Sequence, residues 1–334
     1  MAKSKIFLAF LLYYMTSISA ISLPVSLHMI SINNSFPKTN PLRNESTNLV
    51  APSPPPGFST LLKFNSSIQL KPLEVYVCII ELMRVLANFA WSSLLPVAIE
   101  MAGHEASTEI ELNPFPPDDT RLQMGYAVLG LYKVGVAIAQ GNKFFELYAA
   151  FYMGDSEVGW LEIRPKGSSL HVGSNNQFLP LSSHYTNDTT TMMANSATIF
   201  DPEDNKFGIT FTWDGARIKA QDIFTVVLDA FAIAAEHNNT DLDANIPAAR
   251  SASGDTVLST WTAGEGESTQ MTWARLKRAL ILMWDILLVG PKGQKPRFEG
   301  LMFQLEYEGK GIGAGRMLRF DEAVEGAGGS AVEK

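Results

Sequence analysis

Cysteine is nearly missing from this chain of 334 residues, because Cys78 is the single one. One thiol excludes an intramolecular disulfide and any Cys-x-x-Cys motif for redox chemistry or metal binding. Histidine is also scarce, with five residues, and no His-x-x-x-His or His-Glu-x-x-His pair indicates a zinc site. We therefore expect no metal and no cofactor, and a fold that is stabilised by packing alone.

Basic residues are also fewer than acidic ones. The chain carries 26 Lys and Arg residues against 34 Asp and Glu residues, for a formal net charge of −8 at pH 7, and the basic residues form no cluster. An acidic chain of this kind binds poorly to the phosphates of nucleic acid or of anionic membranes. We expect neither of them as a partner.

Signatures of common enzymes are missing too. No Gly-x-Ser-x-Gly nucleophile elbow occurs, which removes the usual mark of an α/β-hydrolase. Residues 241–245, DLDAN, begin like a calcium loop, but Ile246 stands where that loop requires glycine. Cys78 lies among apolar residues of a predicted helix, which indicates a buried and inert thiol.

The first 20 residues have the order of a secretory signal peptide. Lys3 and Lys5 precede the apolar run IFLAFLLYYM, and TSISA follows with a favourable cleavage position after Ala20. The apolar run is too short to cross a bilayer, so it predicts export and no membrane span. We expect a secreted protein that is located outside the cell or at its surface.

Export gives the chain access to N-glycosylation. Five Asn-x-Ser/Thr sequons are present, and all avoid the apolar periodic segments, which predicts that they lie in loops. The candidate acceptors are Asn33, Asn44, Asn65, Asn187 and Asn238.

Composition divides the rest of the chain. Residues 21–59 are rich in Ser, Asn and Pro, and residues 321–334 lack large apolar side chains, so both predict disorder. Between them we expect a first α+β half over residues 60–164, a polar linker over 165–205 and a second α+β half over 206–320.

A helix followed by a hairpin recurs four times. Apolar residues at three- and four-residue spacing predict helices over residues 72–90, 120–141, 222–237 and 272–289. Two strand-like runs around a glycine turn follow each helix, and a further strand precedes the first helix of each pair, at 61–64 and at 207–213. We infer an α+β fold of two pseudo-duplicated halves, each with antiparallel sheet and helices on one face.

Glycines occupy alternate positions from 309 to 315 in the segment GKGIGAGRMLRF. No helix follows, so the segment does not predict a phosphate-binding loop. Aligned with the strand GWLEI, it predicts a strand whose inner face carries Leu318 and Phe320 and whose outer face carries the glycines.

Carboxylates recur on the outer face of the predicted strands, at Glu109, Glu111, Glu146, Glu162 and Glu306. A solvated sheet face accounts for such residues. The alternative is glycoside hydrolysis, which requires two acids at a definite separation, one of them with a raised pKa.

Aromatic residues occupy the same outer face. The alternation of β-strand side chains places Tyr148, Tyr152 and Trp160 where a solvated sheet would carry polar groups. Clustered exposed aromatics indicate contact with another body. That body is either the other half or a second copy of the chain, or else a sugar or another extracellular ligand.

The repeated segments MTWARLKRALILMWDILL and RFEGLMFQLEYEGKGIGAGRMLRF, preceded by a leader and a Pro/Ser-rich stretch, carry a family resemblance. The chain resembles uncharacterised secreted proteins of filamentous fungi over roughly residues 60 to 320. The resemblance implies secretion by a fungus and a cell-surface or host-facing location. It brings no catalytic residues with it.

These observations predict a non-enzymatic, effector-like binding protein of the extracellular space. The expected partner is a glycan or an extracellular protein that binds to the sheet face of Tyr148, Tyr152 and Trp160. Two alternatives stay open at this point, which are a glycoside hydrolase using the outer-face acids and a structural component of a cell wall or matrix.

Overall fold

The structure is a computed structural model. It describes residues 54–95, 98–103, 107–115, 122–168, 191–193, 196–242, 244–263, 271–289 and 297–320. The predicted leader and the predicted C-terminal tail lie outside these residues, as do Asn33, Asn44 and Asn187.

Five antiparallel strands form a first sheet. In chain order they are β1 (Phe58–Gln69), β2 (Ile99–Ala102), β3 (Thr108–Pro114), β4 (Phe145–Met153) and β5 (Ser156–Pro165). Across the sheet the order is β1-β4-β5-β3-β2, with the long strand β1 at one edge. The sheet therefore joins segments that are far apart in sequence.

Seven antiparallel strands form a second sheet, in the order β6-β7-β8-β11-β12-β10-β9. Its strands are β6 (Thr191–Met193), β7 (Ser196–Phe200), β8 (Phe207–Arg217), β9 (Ala249–Arg250), β10 (Thr256–Thr262), β11 (Glu299–Tyr307) and β12 (Lys310–Arg319). Strands β6 and β7 fall within the polar segment 165–205, where the sequence pattern predicts no strand.

Four helices accompany the two sheets within the described residues. They are α1 (Pro72–Ala87), α2 (Met124–Gly141), α3 (Ala220–Ala235) and α4 (Trp273–Val289). Proline opens α1, where its missing N–H costs nothing and its fixed φ suits the first turn. The predicted α+β class, with four helices and antiparallel sheets, is confirmed.

The inner face of the first sheet is the apolar one. Leu147 and Phe151 of β4 are buried, as are Leu161 and Ile163 of β5. Helix α2 lies directly on this face, since a Cβ atom added to Gly130 would lie 2.6 Å from the Phe151 ring. Glycine at this position permits the close approach of the helix to the sheet.

The two halves of the chain meet through their helices. Tyr76 of α1 stacks on Phe224 of α3 with ring centroids 4.1 Å apart. Gly135 of α2 faces the same helix, because a Cβ atom there would lie 2.5 Å from the Leu228 side chain. Helix α3 is consequently buried along nearly its whole length, and the core is continuous from one half to the other.

The structure corrects the predicted register of the glycine-rich strand. Met317 of β12 is fully buried, whereas Leu318 is half-buried and Phe320 is 41% exposed. Leu318 and Phe320, predicted to lie on the inner face, therefore do not belong to the core.

A β-bulge explains the change of register. The pairing of β11 with β12 shifts at Ile312, which adds one residue to β12 and reverses the face of every later side chain. Gly313 and Gly315 consequently point inward, against the prediction. A Cβ atom on Gly315 would collide with the Phe303 ring, so glycine makes room for a core aromatic.

Two ionisable groups, the Cys78 thiol and the Asp229 carboxyl, are buried in the interior. Cys78 is fully buried, as predicted, and burial raises the pKa of its thiol. Asp229 of α3 is also buried, and it accepts hydrogen bonds from the Arg250 N–H, at 2.8 Å, and from the Tyr132 hydroxyl. Burial raises the pKa of Asp229 to about 6, although both hydrogen bonds oppose the rise.

Asp229→Asn is expected to stabilise the protein at neutral pH. A carboxyl group whose pKa is raised in the folded state makes the free energy of unfolding fall as the pH rises from about 4 to about 6. Asparagine keeps an acceptor oxygen for the Arg250 N–H and removes the charge, and its NH2 group can donate to the Tyr132 oxygen, so we expect a gain of up to ~3 kcal/mol above pH 6. Urea unfolding across this pH range tests the prediction, and a gain that does not shrink towards pH 4 would contradict it.

Candidate functional site

Charged side chains converge on the outer face of the first sheet. In the antiparallel register Glu111 lies opposite both Glu162 and Glu100, and Glu109 lies opposite Arg164. Paired residues share a face, so all five side chains project from the side opposite to the buried Leu161 and Ile163. Three neighbouring strands, β2, β3 and β5, supply them.

Arg164 is the centre of this group. Its Nε donates to Glu109 at 2.7 Å, and its Nη1 donates to Glu111 at 2.6 Å and to Glu162 at 2.7 Å. Its Nη2 reaches Glu100 at 3.4 Å. We call these five residues the Arg164 cluster.

The Arg164 cluster is buried, which corrects the prediction of a solvated sheet face. Arg164 is 5% exposed and Glu162 is 1% exposed. Burial by itself lowers the pKa of Arg164, but the hydrogen bonds to Glu111, Glu109 and Glu162 outweigh it and hold the pKa above its usual range. The arginine is therefore a permanent cation that ties three strands together.

The predicted acids do not form one catalytic pair. Glu109, Glu111 and Glu162 all direct an oxygen at the same guanidinium. Glu146 accepts a hydrogen bond from the Asn65 side chain instead, at 2.7 Å, and Glu306 lies on β11 in the second sheet. A carboxylate held by arginine is poorly placed to protonate a leaving group.

The predicted aromatic residues lie beside the Arg164 cluster. Tyr148 pairs with Glu162 across β4 and β5, and its ring stacks on that of Trp160 at 5.9 Å with an interplanar angle of 26°. Tyr152 lies further along β4, and all three side chains are half-buried. We call Tyr148, Tyr152 and Trp160 the aromatic surface.

Glu157 fixes one end of this surface. It accepts a hydrogen bond from the Tyr148 hydroxyl at 3.3 Å. Burial, together with the charge of Glu157, raises the pKa of Tyr148 to about 12. The phenol is thus neutral over the physiological range and keeps its proton for hydrogen bonding.

The sequence pattern does not single out the two residues that organise the face, Arg164 and Glu100. Strand alternation from Glu162 already places Arg164 on the outer face. What the sequence does not reveal is that β3 pairs with β5 and β2 with β3, which brings the glutamates around the guanidinium.

The two described sequons are both accessible. Asn65 and Asn238 have exposed side chains. Asn238 follows helix α3 in a turn, as predicted, whereas Asn65 lies within strand β1 and not in a loop.

Neither a metal site nor a membrane span emerges in the part of the chain that the structure describes. There, no group of three or more His, Cys, Asp or Glu side chains is arranged to hold a metal ion. None of the four described helices is long and apolar enough to cross a bilayer.

Comparison with known proteins does not assign this chain to a family. No protein-family model matches the chain, and no curated protein matches it. A similar solved structure is the tandem DUF26 ectodomain from the Arabidopsis thaliana cysteine-rich receptor-like protein PDLP8, at 8% identity and a TM-score of 0.21, covering 78% of this chain and 97% of that one. A TM-score of this size does not define a shared fold, and no function is transferred from that ectodomain.

Proposed function

We propose that this chain is a secreted, non-enzymatic binding protein that contacts an extracellular partner through the aromatic surface. The observation that carries the proposal is the stacked pair of Tyr148 and Trp160 on the outer face of the first sheet. The halves meet on the opposite side, through Tyr76 and Phe224. The aromatic surface therefore points away from the second half.

The Arg164 cluster supports a binding role over a catalytic one. Its carboxylates are held by a buried guanidinium, so they stiffen the sheet beneath the aromatic rings. A rigid platform reduces the entropy that is lost when a partner is bound. Glycoside hydrolysis would instead need an acid and a base that are free to meet a substrate.

A glycan is the partner class that we favour, with an extracellular protein as the alternative. Flat aromatic rings offer a large apolar contact area, and the hydroxyl of Tyr148 and the carboxylate of Glu157 supply hydrogen-bonding groups at its edge. Ligand sites of this kind combine apolar rings with a few placed polar groups.

Secretion, glycosylation and a fungal cell-surface location complete the proposal. The leader over residues 1–20 and the sequons support export, and Asn65 and Asn238 are exposed for modification. The sequence resemblance to secreted proteins of filamentous fungi supports the location.

We also propose that the two halves arose by duplication, with the helices of each half covering one face of its sheet. Strands β8, β11, β12, β10 and β9 repeat the order of β1, β4, β5, β3 and β2. One loop contact also recurs, since the N–H of Gly125 at the start of α2 donates to Trp91 at 2.9 Å, and that of Ala274 at the start of α4 donates to Asn239 at 3.0 Å. Such a match is expected of two copies of one unit.

Trp160→Ala is expected to weaken binding to soluble chitin and β-glucan oligosaccharides by about tenfold or more, because central aromatic contacts dominate binding energy. Titration calorimetry of the protein made in a bacterial host, without glycans, measures the affinity, and a reducing-sugar assay on the same samples detects hydrolysis. Trp261→Ala is the matched control, since Trp261 is a half-buried tryptophan on β10 of the second sheet.

Four outcomes would contradict the proposal. Absence of binding to any oligosaccharide excludes the glycan partner, and an equal loss for both tryptophan variants excludes the aromatic surface. Release of reducing sugar would favour the hydrolase. Retention on insoluble wall material that Trp160→Ala does not change would favour a structural component.

A further inference from the structure

The sequon at Asn65 has a conformation that prepares its amide for modification. Asn65 Oδ1 accepts hydrogen bonds from the Ser67 hydroxyl at 2.6 Å and from the Ser67 N–H at 3.3 Å. Both contacts join residues two apart, so they form a local turn that does not depend on the rest of the fold. The amide nitrogen is thereby turned away from the backbone of its own sequon.

Asn65 lies on the same face of the sheet as the aromatic surface. The register pairs Asn65 with Glu146 and Lys63 with Tyr148, and residues paired in this way share a face. From strand spacing alone, Asn65 and Tyr148 are diagonal neighbours whose Cα atoms are about 8 Å apart.

Glu146 orients the Asn65 amide in the folded protein. The Asn65 Nδ2 atom donates to Glu146 Oε2 at 2.7 Å, and Glu146 is buried beneath it on β4. A primary amide has two N–H bonds, and a glycosylated amide retains one. The hydrogen bond to Glu146 is therefore compatible with a sugar on the same nitrogen.

We propose that Asn65 carries an N-linked glycan whose first sugars cover Tyr148 and control access to the aromatic surface. This inference rests on the proposed function, because it requires secretion. A sugar attached to Nδ2 while the second N–H is held by Glu146 starts one strand away from Tyr148. The apolar face of a pyranose packs well on an aromatic ring.

N-glycosylation joins the Asn65 amide to an oligosaccharide from a lipid-linked donor of the secretory pathway. The Asn65 amide nitrogen bonds to C1 of an oligosaccharide carried on a lipid pyrophosphate. The C1–O bond to the pyrophosphate breaks, the lipid pyrophosphate leaves with the bonding electrons, and the amide nitrogen loses one proton to solvent. No oxidant or reductant takes part.

Hydroxyl-radical footprinting with mass spectrometry tests the inference on protein secreted by a eukaryotic host. Ser67→Ala removes the sequon but keeps Asn65 and its hydrogen bond to Glu146. We expect the wild-type protein to be glycosylated at Asn65, and we expect oxidation of Tyr148 to rise severalfold in Ser67→Ala. Thr240→Ala, which removes the sequon of Asn238, should leave Tyr148 unchanged.

The same two proteins made in a bacterial host, without glycans, separate the sugar from the serine hydroxyl. There, the wild-type protein and Ser67→Ala should show equal oxidation of Tyr148. An unmodified Asn65 beside a modified Asn238, or a modified Asn65 with no protection of Tyr148, would overturn this inference and leave the proposed function standing. A secreted protein with no modified sequon would overturn the inference and the proposed glycoprotein together.

Discussion

Arg164→Met is expected to lower the free energy of unfolding by about 3–5 kcal/mol, or to prevent folding altogether, because removing one partner of a buried ion pair leaves uncompensated charge. Four glutamates, from strands β2, β3 and β5, direct an oxygen at this guanidinium. Their mutual repulsion would act at the centre of the first sheet, where solvent screens it least.

Chemical denaturation of the purified variant measures the loss. Arg84→Met is the matched control, because Arg84 pairs with Glu81 on α1 at 2.7 Å and keeps 21% of its side chain exposed. Among the described residues Arg84 has this one carboxylate partner, whereas Arg164 has four, so we expect a smaller loss for Arg84→Met than for Arg164→Met.

A rescue experiment distinguishes charge from packing. Glu111→Gln combined with Glu162→Gln removes two of the four negative charges and should restore part of the stability of Arg164→Met. If the two arginine variants are equally stable, the Arg164 cluster does not hold the sheet together. If the glutamine substitutions restore nothing, the loss in Arg164→Met is one of volume and not of charge.

Phe224→Ala is expected to lower the free energy of unfolding by about 3–5 kcal/mol, the usual range for deleting a fully buried aromatic side chain. The Phe224 ring stacks on Tyr76 of the first half and lies 6.4 Å from Trp284 of α4. It also lies 3.1 Å from the position of a Cβ atom on Gly135. The deletion therefore opens a cavity that borders three other helices.

The unfolding transition of this variant is as informative as its stability. The core is continuous between the halves, so we expect Phe224→Ala to shift one cooperative transition and not to split it into two. Phe320→Ala is the control, because Phe320 is 41% exposed and should cost about 1 kcal/mol or less even with Arg250 above its ring. Two separate transitions in the wild-type protein would contradict a shared core.

The helices and most strands were predictable from the sequence because each of them carries its own periodicity. The predicted helix at 272–289 is Trp273–Val289 in the structure, and the one at 222–237 is Ala220–Ala235. The burial of Cys78 also follows from its apolar neighbours along the chain. Such local patterns need no knowledge of the tertiary fold.

What the sequence did not reveal depends on pairing between distant residues. The bulge at Ile312 arises where β12 pairs with β11, and a single added residue was enough to exchange the predicted faces of Gly313 and Gly315. The Arg164 cluster depends on partners 53 and 55 positions away, Glu111 and Glu109. Alternation predicts a face, but it does not predict which strand lies beside which.

The strand order of the first sheet determines when each strand can pair during synthesis. Strand β1 pairs with β4, and Asn65 contacts Glu146, which lies 81 positions later in the chain. During synthesis β2, β3 and two helices are therefore made before β1 can pair with β4. Strand β5, which lies between β4 and β3, comes last of all. With the secretion proposed above, a transferase at the point of translocation would meet the Asn65 sequon on an open strand, before β4 has paired with it.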